Sequence, residues 1–113
     1  MTRNPPWNPD ENAALLQAYG QLVDAQADGA YLSKAALTRQ LQAGPLSARS
    51  RGSVEAKFMN ISAALVKAGH GHVRGYKPAP NMQRCLLDLA AAWIAQRIAN
   101  GQPLPGTNPA PTE

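Results

Sequence analysis

The sequence predicts an all-α protein of four helices, and three observations carry that prediction. Apolar residues recur at helical spacing in four separate stretches. Cap residues stand at the head of each stretch and a glycine follows each of the four. Val and Ile are scarce, and no segment alternates apolar and polar residues for long, so a sheet is not expected.

The first helix is announced by Trp7-Asn8-Pro9-Asp10-Glu11. Asn8 suits the N-cap, Pro9 the first helical position, and Glu11 the acidic place of a capping box. Leu15, Tyr19, Leu22 and Val23 form its apolar stripe, with Leu16 at the edge, and Gly29 can end it near residue 27. Trp7 is expected to fold onto the core as an anchor. A second helix fits 33–43, with Ser33 as cap, Leu37 and Leu41 facing inward, and Gly44-Pro45 forbidding continuation.

The third helix, 51–68, is the centre of the chain. Val54, Phe58, Ile61 and Leu65 recur at i, i+4, i+7 and i+11, and Ser50 caps the first turn. At about 100° per residue, the opposite face carries Ser53, Ala56, Asn60, Ala63 and Lys67. Such a face offers low bulk, an amide for base edges and cations for phosphates, which a helix lying in a DNA groove requires. The loop 69–80 holds three glycines and two prolines after the helix end, with Arg74, Tyr76 and Lys77 available to a phosphate backbone. Tyr76 itself is expected to close over the core of the third helix. The last helix is expected over 82–100, capped by Asn81 and closed by Gly101, with an inner stripe of Met82, Leu86, Leu89 and Trp93 that Ala90, Ile94 and Ile98 widen.

The expected core is Trp7, Leu15, Tyr19, Leu22, Leu37, Leu41, Val54, Phe58, Ile61, Leu65, Leu86, Leu89 and Trp93. The organisation is then a flexible arm (1–6), one helical domain (7–100) and a disordered proline-rich tail (101–113). The domain divides into a helix-turn-helix core (7–68), a basic loop (69–80) and a C-terminal helix (81–100).

Charge points to the same region. The net charge is +4 over 113 residues. Residues 49–84 hold seven cations against Glu55 alone, a net of +6, while the flanking blocks are each −1. A basic middle between near-neutral ends is the footprint expected for a polyanion partner. No apolar run is long enough for a membrane span, no signal peptide opens the chain, and Cys85 is alone. These features predict a cytoplasmic protein without membrane attachment. His70 and His72, one residue apart among glycines, fall short of a zinc spacing, and no catalytic cluster or phosphate-cradling loop is visible. No cofactor, metal or enzymatic activity is expected.

Three features together resemble the Myb-like helix-turn-helix family: the tryptophan with an acidic helix start (Trp7 to Glu11), a short second helix, and a third helix opening Arg49-Ser50. The resemblance covers about residues 7–68. It departs from the family where Phe58 stands in place of the tryptophan expected inside the third helix. The resemblance implies a major-groove helix presenting Arg51, Ser53, Ala56, Lys57, Asn60 and Lys67. A tighter resemblance, over 7–94, links Arg49 to Lys57, Asn60 to Ala63, Gly75 to Pro78 and Asn81 to a small helical module of bacterial restriction and mobile-element proteins. That module stands at the head of larger enzymes, and no catalytic domain follows it in this sequence, so the implied role is binding.

The expected function is a small non-enzymatic DNA-binding protein holding duplex DNA with 51–68 and 69–80. The expected contacts are Arg49, Arg51, Ser53, Lys57, Asn60, Lys67, Arg74 and Lys77. The competing class is a protein-interaction module whose basic face is incidental, with helix 82–100 docking a protein partner or a second copy.

Overall fold

A computed structural model describes residues 6–106, so the expected arm up to residue 5 and the tail from residue 107 lie outside the described residues. Within them the chain forms four helices, α1 (Pro9–Ala27), α2 (Lys34–Gln42), α3 (Arg51–Lys67) and α4 (Arg84–Ala99), and no strand. The all-helical class expected from periodicity is the class observed.

Local chemistry fixes most of the boundaries. Asn8 Oδ1 accepts from the Glu11 N–H at 2.8 Å while Glu11 Oε1 accepts from the Asn8 N–H at 3.0 Å, closing a capping box at α1. Ser33 and Ser50 accept from the amides of Ala36 and Ser53, each at 3.1 Å, and so start α2 and α3. Gly29 and Gly69 follow α1 and α3 with φ of +69° and +92°, a backbone that few other residues adopt. The start of α4 differs from expectation. Its N-cap is Gln83, which makes no side-chain cap bond, whereas Asn81 lies two residues upstream and offers its carbonyl to Asn60.

Helices α1 and α3 form the centre. They pack against each other and each packs against both α2 and α4, while α2 and α4 do not pack together. A row of four aromatic rings threads the core from Tyr76 to Phe58 (4.9 Å between centroids), to Tyr19 (6.2 Å) and to Trp93 (6.0 Å). Phe58 thus fills the central place expected of it, and Tyr76 closes over it as a lid. Tyr19 adds a polar tie inside this row. Its hydroxyl lies 2.9 Å from Ser62 Oγ and accepts from the Val73 N–H at 2.9 Å, which fastens the loop to α1. Burial pushes the Tyr19 phenol pKa up.

Helix α4 is rotated relative to its expected stripe. Leu86, Ala90, Ile94 and Arg97 form the buried line, while Met82, Leu89 and Trp93 are only half-buried against the core and Ile98, expected to widen the stripe, is exposed. Arg97 is the unexpected member of that line. Its Nη2 donates to Asp24 Oδ1 at 2.6 Å and its Nε to the Pro103 carbonyl at 3.0 Å, so a charged residue holds an inward position. Gly20 makes room for it, since a Cβ there would stand 3.0 Å from Arg97 Nη1. The expectation of disorder from residue 101 is corrected over 101–106. Pro105 is buried, Leu104 packs on the core, and the Pro105 carbonyl accepts from the Gly71 N–H at 2.9 Å.

Candidate functional site

The basic block folds into two populations of cations, one spent on the fold and one left outside. Arg49 belongs to the first. Its Nε and Nη2 donate to the two Glu11 oxygens at 2.8 and 2.6 Å, Nη2 also donates to the Pro6 carbonyl at 3.1 Å, and the guanidinium lies 5.1 Å over the Trp7 ring. Both charged side chains are buried, at 4% and 11% exposure. The hydrogen bonds from Arg49 hold the Glu11 carboxyl pKa down against the opposing effect of burial. Arg49, expected at a phosphate, is instead an internal strut between the α2–α3 connection and the head of α1.

Lys57 also turns inward. Its ammonium sits 5.4 Å over Trp7 and donates to Gln83 Oε1 at 3.3 Å, and burial lowers its pKa. Asn60 is further from its expected outer face. It is buried, and its Nδ2 donates to the carbonyls of Ala79 (2.6 Å) and Asn81 (3.1 Å). Ala63, placed on the same outer face by the helical wheel, is likewise buried. The physical reason is that the segment 78–82 and α4 cover the middle of α3, the face that two helices and a turn would have left open. An amide committed to two backbone carbonyls has no free donor for a base edge.

The second population lies at the opposite edge. Arg51 is exposed at the head of α3 and donates to Glu55 Oε2 at 3.0 Å, a surface pair of little strength. Lys34, at the head of α2, has its Cε about one contact distance from Gly75, where a Cβ would stand 3.1 Å away, and its ammonium 5.9 Å from the Tyr76 ring. Lys34, Arg51, Glu55, Gly75 and Tyr76 line a common cleft of about 340 Å³. Lys34 and Arg74 line an adjoining one of about 250 Å³ beside the exposed Tyr31. Arg74 and Lys77 are exposed in the loop, and the Arg74 N–H donates to Gln26 Oε1 at 3.2 Å. The loop and the heads of α2 and α3 therefore converge on one cationic edge.

Of the expected contacts, these clefts gather Arg51 and Arg74, while Lys77, exposed in the same loop, and the half-exposed Ser53 in the first turn of α3 line neither. Lys67 is exposed at the far end of the same helix, roughly 24 Å away by helical rise, and does not join them. Sequence reasoning missed Lys34. Its signal was a cap serine followed by a lysine and no acid, which leaves the N-terminal dipole of α2 beside an uncompensated cation. Among the described residues no group of His, Cys, Asp or Glu could hold a metal ion, and no helix is long and apolar enough to cross a membrane. Compared with known proteins, the chain matches no family model, no curated protein and no solved structure.

Proposed function

We propose that the protein holds duplex DNA through its phosphates, using the cationic edge formed by Lys34, Arg51, Arg74 and Lys77. The observation that carries this reading is the convergence of cations from three separate segments, the half-buried Lys34 of α2 and the exposed Arg51 of α3 and Arg74 of the loop, on two adjoining clefts. A solvated face needs no such convergence, whereas a polyanion rewards it. In this reading α2 and α3 act as a Myb-like helix-turn-helix, and the head of α3 approaches the groove while its middle stays inside the protein. Arg51, Gly52, Ser53 and Ala56 are the residues of α3 that such an approach leaves available. Base readout by Asn60 is not part of the proposal, because both its donors are committed. The protein thus grips DNA with little sequence preference, in the manner of a targeting or architectural module.

Fluorescence anisotropy with a random-sequence duplex tests this directly. The parent is expected to bind at low salt, and Arg51→Ala/Arg74→Ala/Lys77→Ala to lose most of that binding without losing its fold. Equal binding by the triple variant would remove the edge as the site.

A further inference from the structure

A second surface lies at the other end of α3. The C-terminal half of that helix, the segment 78–82 and the start of α4 enclose a groove of about 430 Å³. Its lining is apolar: Ala63, Val66, Pro78, Pro80, Met82 and Leu87. The groove is built and rigid. Asn60 clamps the carbonyls of Ala79 and Asn81, and the Ala79 N–H donates to the Met59 carbonyl at 3.0 Å, which fixes one wall. Two prolines stiffen that wall further, so an occupant meets a surface already shaped for it. Val66 lies in it 45% exposed, a large apolar side chain for which the fold provides no cover.

Charge on the rim selects the occupant. Lys67 lines the groove, exposed Lys77 directly precedes Pro78, and exposed Arg84 stands one turn before Leu87. Asp88, 3.3 Å from Arg84, is the acid beside them, leaving the rim net cationic. A second copy docked by the same face would oppose these cations to their own counterparts, which disfavours self-association. Nucleic acid would satisfy the cations but leave the apolar floor unfilled. We infer that this groove docks a short segment of another protein, with apolar anchors one helical turn apart and carboxylates flanking them. The inference goes beyond DNA binding and does not depend on it: no residue that lines this groove lines either cleft beside Lys34, and only Lys77, next to both Tyr76 and Pro78 in the chain, borders the two surfaces.

Methyl NMR on the full chain provides the test, with two probes: a 14-residue amphipathic peptide bearing Leu at helical spacing with Glu between, and the same peptide with Lys for Glu. The Glu peptide is expected to shift the methyl signals of Val66, Met82 and Leu87, and the Lys peptide to bind at least roughly fivefold more weakly. Lys67→Glu should weaken the Glu peptide by roughly two- to fivefold. Val66→Glu should abolish the shifts while keeping the parent's thermal melt and its binding to duplex DNA. If Val66→Glu fails to fold, Pro80→Glu on the opposite wall serves the same purpose. Unmoved methyl signals with the Glu peptide, equal binding of the two peptides, or shifts that track protein concentration alone would overturn the inference. The last outcome would assign the groove to a second copy.

Discussion

Replacing Arg49 by Ala tests whether this arginine supports the fold or faces a ligand. The side chain is 4% exposed and makes two hydrogen bonds to Glu11. Removing it leaves a carboxylate at 11% exposure with the Asn8 amide as its remaining hydrogen-bond donor. Breaking a buried pair by deleting one partner costs about 3–5 kcal/mol, because the other charge stays buried without compensation. The packing of the guanidinium on Trp7 goes with it. Against a total stability of about 5–15 kcal/mol, that is a large fraction. Urea unfolding followed by tryptophan fluorescence reads the loss, and the thermal midpoint should fall by roughly 12 °C or more. The double variant Glu11→Gln/Arg49→Met removes both charges while keeping an amide at the capping-box position, and it should recover at least half of the lost stability. Below its melting temperature, Arg49→Ala should bind duplex DNA with the parent's salt dependence. A loss below about 1 kcal/mol would refute this reasoning and return Arg49 to the surface cations.

Three further outcomes follow from the same geometry. Phe58→Ala empties the place where Tyr19 and Tyr76 meet α3, and calorimetry should show a loss of about 3–5 kcal/mol. Asn60→Ala releases segment 78–82, so it should cost about 1–3 kcal/mol and raise amide exchange at Ala79 while leaving DNA affinity unchanged. A selective loss on one DNA sequence would instead restore Asn60 as a base reader. Because the Glu11 carboxyl pKa is lowered in the folded state, its stabilisation is complete above the ordinary carboxylate value and is lost as pH falls through the depressed one. Stability measured from about pH 5 downward should therefore decline more steeply in the parent than in Glu11→Gln.

The helices were legible because their signals are local. Asn8 with Glu11, Ser33 and Ser50 are caps whose partners lie three residues away, and the stripe Val54, Phe58, Ile61 and Leu65 follows from helical period alone. The candidate site was legible only in part, because exposure on α3 depends on partners far along the chain. Asn60 looks outward on an isolated helix, and it is the segment some twenty residues later that covers it. Arg49 and Glu11 are 38 residues apart, so a basic block could not reveal which of its members is neutralised inside. Arg97 takes an inward place on α4 through Asp24, 73 residues away, a partner that the periodicity of the helix does not record. Lys34 gains its place from Gly75, a loop residue whose path no periodicity records.

The salt dependence of duplex binding tests the central proposal most directly. With Lys34, Arg51, Arg74 and Lys77 each neutralising one phosphate, log Kd should rise with log salt with a slope of roughly 3 to 4. Each Ala substitution at one of the four should lower that slope by about 0.9 on every sequence, whereas Lys57→Ala, whose ammonium is held by Gln83 and Trp7, should leave it unchanged. No binding at low salt, or a slope indifferent to all four substitutions, would contradict the account.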